Sequence, residues 1–75
     1  MKSGDEVKLG MRIRVTQLGN TTGMFVNKKH LSNREVGKTG RVLRRVPGHD
    51  NEVWAISQDN GIACYLFDEF ERIDD

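Results

Sequence analysis

The sequence predicts an all-β domain, a small barrel of five short strands. Three observations carry this expectation. Met11 to Leu18 alternates, with Met11, Ile13 and Val15 on one side and Arg12, Arg14 and Thr16 on the other, the period of a half-buried strand. Val36 to Val46 (VGKTGRVLRRV) supplies two glycines for a tight turn and then a strand-forming run. Asp59-Asn60-Gly61 divides two apolar runs, VWAISQ and IACYLF, with the composition that tight hairpin turns favour.

Taken in order, residues 1–9 are a polar, flexible lead-in and residues 10–75 form the domain, Gly10 allowing a sharp entry into the first strand. Residues 19–36 make a long loop. GNTTG is a turn cluster, and Met24-Phe25-Val26 is a short apolar patch, either a brief strand or a plug over one end of the barrel. NKKHLSNRE carries Leu31 as its single apolar residue. A structureless loop of this length is unusual in a compact domain, so it is expected to fold back as an irregular hairpin. Ser32 and Glu35 have capping-box spacing, but Gly37 follows and no apolar periodicity continues, which argues against a long helix.

Thr39 to Val46 is the second strand, and neither of its faces is clean. Val42 and Val46 share a side with Arg44, while Leu43 sits with Arg41 and Arg45. A bulge near Leu43 to Arg45 repairs the pattern, and so does a strand that leaves the barrel at one end. Pro47 to Asn51 is a turn by composition. Val53 to Gln58 and Ile62 to Phe67 are the third and fourth strands. Asp68 to Phe70 makes a short helical turn, and Glu71 to Ile73 a last short strand.

Seventy-five residues set a single domain with one core cluster and little room for a deep cleft. The net charge of +1 conceals a strong segregation. Lys28 to His49 holds seven basic residues against Glu35 alone, whereas Asp50 to Asp75 holds eight acidic residues against Arg72 alone. Either the surface is two-sided or the halves pair and cancel. Cys64 is the single cysteine, so no internal disulfide forms. No apolar run approaches the ~20 residues of a membrane span and no apolar signal segment leads the chain. These features point to the cytoplasm.

The most informative surface feature is the basic run Lys28, Lys29, Arg34, Lys38, Arg41, Arg44 and Arg45, a candidate surface for an anionic partner. Its plain alternative is a solvated face bridged to the acidic half. Tyr65 and Phe67 lie opposite Ile62, Cys64 and Leu66 on the fourth strand, which makes them the candidate exposed contact aromatics. Trp54, sharing a face with Ile56, belongs to the core. Cys64 reads as a small buried hydrophobe rather than a nucleophile. His30 and His49 lack the spacing and co-ligands of a zinc site, so no metal or cofactor is expected, although both could serve an anion site near Arg34 or Arg44. The acidic tail reads as a solvated edge that discourages strand-to-strand aggregation.

The strand order looks like an SH3-like barrel. His30, Arg34, Gly37, Lys38, Gly40 and Val42 in the segment HLSNREVGKTGRV resemble a pattern in one group of such barrels. That group comprises the nitrile hydratase β-subunit barrel, the variable chain of ferredoxin–thioredoxin reductase and a small photosystem I subunit. Gly-x-x-Gly-x-Val also resembles the KOW motif of ribosomal proteins and transcription factors. Trp54-Ala55-Ile56, Gly61 and Glu71-Arg72-Ile73 fall in an order similar to the type II dihydrofolate reductases. That family uses a Val-Gln-Ile-Tyr segment where this chain has Ile62-Ala63-Cys64-Tyr65, matching the tyrosine and lacking the glutamine.

The first functional expectation is a non-catalytic binding or accessory module for protein–protein interaction. Its partner would be another protein or a second copy through the fourth strand, whose two apolar faces call for cover. The second is a KOW-like nucleic-acid binder using the basic loop and second strand. The third is an oligomeric enzyme of the type II dihydrofolate reductase kind, which nothing in the chain's residues supports as a catalytic constellation.

Overall fold

The computed structural model describes residues 6–19 and 26–73, and these form one five-stranded antiparallel sheet with almost no helix. The strands are β1 (Arg12–Val15), β2 (Thr39–Arg45), β3 (Val53–Gln58), β4 (Gly61–Leu66) and β5 (Phe70–Arg72). A five-residue helix, α1 (Lys28–Ser32), precedes β2, and a 3₁₀ turn (Phe67–Glu69) joins β4 to β5. The spatial order is β4-β3-β2-β1-β5, so the first strand lies between the second and the last. Asn20 to Phe25, including most of the expected GNTTG turn and the Met24-Phe25 pair, lie outside the described residues. No helix among the described residues is long and apolar enough to cross a membrane.

Period-two alternation sorts β3 and β4 onto two apolar layers. Trp54, Ile56, Ala63 and Tyr65 join Val7, Ile13, Val15, Val42 and Phe70 in the main cluster. Val53, Ala55 and Cys64 join Val46 in a second cluster on the other face, packed against Val26, Ile62 and Leu66. α1 packs against β4 on that side. Within the chain, Val26 and α1 lie against this second face of β4. The helix stays short for local reasons. Asn27 caps its start, its Oδ1 accepting from Lys29 N at 2.9 Å. Asn33 ends it, and the Asn33 side chain turns away to donate to Ile62 O at 2.9 Å on β4.

The bulge expected in β2 is present. Val42 pairs with Ile56 and Arg44 with Ala55, so Leu43 is the extra residue. Before the bulge Val42 faces the main cluster; after it Arg44 and Val46 face the second layer and Arg45 lies opposite Trp54. The β3–β4 hairpin forms where Asp59-Asn60-Gly61 indicates, with Gln58 paired to Gly61. Its positive φ falls at Gly61 (114°) rather than at Asn60, so glycine is needed one position later than a two-residue primed turn requires.

Gly40 sets the closeness of β2 and β3. A Cβ there would run into the Ser57 carbonyl and lie 2.9 Å from Ile56 Cγ2. Gly40→Ala is expected to lower stability by about 1–3 kcal/mol, through a clash that only a strand shift relieves. Urea unfolding measures this, and an unchanged midpoint would show that the two strands separate without cost.

Candidate functional site

The interior polar network explains where several sequence-selected residues went. Glu69 closes the 3₁₀ turn with its carboxylate 1% exposed. Its Oε1 accepts from Leu66 N at 2.8 Å, and its Oε2 accepts from Gly19 N and from the Arg34 guanidinium. Its backbone carbonyl accepts from Thr16 N at 2.9 Å, holding the exit of β1. Arg34 is 4% exposed and lies 5.4 Å above the centre of the Tyr65 ring. The Tyr65 hydroxyl donates to Gln58 Oε1 and accepts from Glu35 N at 3.1 Å. Gln58 Nε2 donates onward to Asn33 O at 3.0 Å. Burial pushes the Tyr65 phenol above its ordinary range, against the pull of these hydrogen bonds.

Tyr65 was expected to be an exposed contact aromatic, and this is corrected: it is fully buried in the main cluster. Phe67, its expected companion, is half-buried and packs on the same cluster. The physical reason is that the face chosen as core, Ile62-Cys64-Leu66, is the second layer. Trp54 is in the core as expected.

The basic run does not act as one surface. Arg34 is inside, paired with Glu69. Lys38 pairs with Asp59 at 2.9 Å and Glu35 at 3.8 Å. Its hydrogen bond and charge pull the Asp59 carboxyl below the ordinary range, while Asp59 raises the Lys38 ammonium. Arg45 reaches Asp50 O at 3.3 Å on the face of Trp54. Lys28 and Lys29 are exposed on α1. Arg41 and Arg44 share the outer face, in register with Ser57 and Ala55. There they are joined by Arg12, directly opposite Arg41, and by Arg14, opposite Glu71. Arg12 and Arg41 are both engaged in interactions of their own. The β1 arginines complete a basic face that the linear run omits; their alternation in β1 was the available signal, and only the β1–β2 register joins them to it.

Among the described residues the exposed large apolar side chains are Leu9, Leu18, Val36 and Leu43, and two of them, Leu9 and Leu43, belong to segments that meet beside this face. The tight turn Lys8–Met11 abuts β2, with Gly10 N donating to Val42 O at 2.7 Å and Arg41 donating to Gly10 O at 3.0 Å. Leu9, at the tip of that turn, is 66% exposed, and Leu43, at the bulge next to Val42, is 41% exposed.

A separate cleft opens between α1 and the outer face, lined in part by His30, Arg44 and Cys64. Cys64 Sγ lies 3.9 Å from His30 Nδ1. Burial pushes the thiol up, while the Arg44 and Arg34 charges pull it down less strongly. Among the described residues no group of three or more His, Cys, Asp or Glu is placed to hold a metal ion.

The chain was compared with family models, curated proteins and solved structures, and it matches none of them.

Two outcomes test this geometry. Glu69→Gln leaves the Arg34 guanidinium buried without its counter-charge and is expected to cost about 3–5 kcal/mol of stability, of which Arg34→Met combined with Glu69→Leu recovers a part. A urea double-mutant cycle reads both. In an NMR titration, the Asp59 carboxyl is expected to protonate at lower pH than an unpaired aspartate, and Lys38→Gln is expected to return it to the ordinary range. The stabilisation from that pair is present above the ordinary carboxylate pKa and is lost as pH falls through the lowered value of Asp59.

Proposed function

We propose that this protein is a non-catalytic binding module that docks an acidic partner protein on the outer face of β1 and β2. One observation carries the reading: exposed Leu9 and Leu43 lie at the end of a face bearing Arg12, Arg14, Arg41 and Arg44. Apolar anchors beside a cationic surface suit the docking of a protein of opposite charge. The wider architecture we propose is an SH3-like barrel. The order β4-β3-β2-β1-β5 and the 3₁₀ turn before β5 support it.

The nucleic-acid reading is weaker on two counts. Trp54, Tyr65 and Phe70 are buried and Phe67 is half-buried, which leaves no exposed aromatic among the described residues for base stacking. The basic run also divides between the interior, salt bridges and two faces. The enzyme reading would need the Ile62-Ala63-Cys64-Tyr65 segment to face a pore shared between copies, yet the chain itself packs against both faces of that strand. The buried thiol, held toward its neutral form, further weighs against nucleophilic chemistry.

In affinity capture followed by cross-linking, the wild-type chain is expected to retain a defined acidic protein that Leu9→Glu/Leu43→Glu loses, with the variant's urea midpoint within about 0.5 kcal/mol of wild type. Retention of the same protein by the variant sinks the proposed face. Tight, salt-sensitive binding of a fluorescent oligonucleotide by the wild-type chain sinks the choice of a protein partner.

A further inference from the structure

The cleft beneath α1 holds His30 and Cys64, which the docking face leaves unused, beside Arg44, which the two share. It encloses about 220 Å³, several times the roughly 30 Å³ share of one water in the liquid. Its polar side presents the Arg44 guanidinium and the His30 imidazole, its apolar side Val26, Val46 and Pro47, and Cys64 lies with the second cluster. No carboxylate among the described residues lines it. The Oδ1 of Asn27 already accepts from Lys29 N at 2.9 Å. No acidic side chain among the described residues pairs with Arg44. Arg44 thus brings donors and a positive charge to the cleft, and the His30 imidazole, whose Nδ1 faces Cys64 Sγ, has its other ring nitrogen for a further hydrogen bond.

We propose that this cleft binds a small organic carboxylate, with Arg44 pairing the anionic head, His30 donating a second hydrogen bond, and the Val26–Val46–Pro47 wall receiving a short apolar body. The volume lies below the roughly 300–1,000 Å³ of sites for drug-sized ligands, which limits the occupant to a handful of heavy atoms. A soft metal ion fits less well. Cys64 and His30 offer two donors where zinc sites use three or four protein ligands, and the guanidinium repels a cation. The site shares Arg44 with the proposed docking face, but His30 and the Val26–Val46–Pro47 wall belong to the cleft alone, so Leu9→Glu/Leu43→Glu is expected to lose the docked protein and keep butyrate binding.

The test is an NMR titration of the isotope-labelled chain with butyrate, butyramide and inorganic phosphate. Butyrate is expected to give saturable shifts at His30, Arg44 and Cys64, and the uncharged isostere butyramide is expected to give none. Arg44→Gln, a change at an exposed strand position, is expected to weaken butyrate about tenfold or more, as loss of a charge-assisted hydrogen bond does. Equal response to butyramide, saturable binding of phosphate alone, or undiminished affinity in Arg44→Gln would each overturn the proposal.

Discussion

The buried carboxylate of Glu69 is the constraint on which the rest of the structure leans. An ionised carboxylate removed from water is tolerated only when charge and hydrogen bonds replace its hydration. Here the replacements come from separate parts of the chain: Leu66 at the end of β4, Gly19 beyond β1, and Arg34 ahead of β2. The same residue's main-chain carbonyl receives Thr16. One side chain thereby fixes the turn into β5, the exit of β1 and the entry to β2, and with them the place of β1 between β2 and β5. Arg34 passes the constraint on by lying over Tyr65, whose hydroxyl fixes Gln58 and the base of the hairpin.

Much of the fold was legible. The strands follow the alternation and the turn residues, because both act over a few neighbours and need no knowledge of the partner. The β2 bulge was legible for a related reason, since no single-faced strand accommodates Val42, Arg44 and Val46 together. The sidedness of β4 was not. Ile62-Cys64-Leu66 and Ala63-Tyr65-Phe67 are about equally apolar, so alternation alone does not say which layer is larger. The second layer is the one that α1 packs against, and α1 comes from a stretch whose polar composition gives no sign of that contact.

The charge reading failed at the same level. Seven cations close in sequence look like a patch, but sequence distance is not surface distance. Arg34 goes inside because Glu69, 35 residues away, needs it. Arg44 and Arg45 part company because adjacent strand residues point to opposite faces. The acidic half does cancel some of the run, through Glu69 and Asp59, and the remainder regroups with arginines of β1. Segregated charge along the chain thus contained both outcomes at once.

The bulge at Leu43 connects the architecture with both surfaces proposed for binding. Without the additional residue, Arg44 would keep the facing of Val42 and turn a guanidinium toward Ile13 and Ile56. Shifting the register by one carries Arg44 to the row of Ala55 and Cys64, above the cleft beside His30, and brings Val46 into the second cluster. The residue that absorbs the shift is left with its apolar side chain in solvent, against the turn that exposes Leu9. A bulge breaks a strand's ladder locally, and natural sheets place bulges where a side chain has to be re-aimed. Here the bulge supplies the cationic wall of a pocket and an exposed apolar side chain at the margin of a basic face, in a domain whose interior is otherwise committed to holding five short strands together.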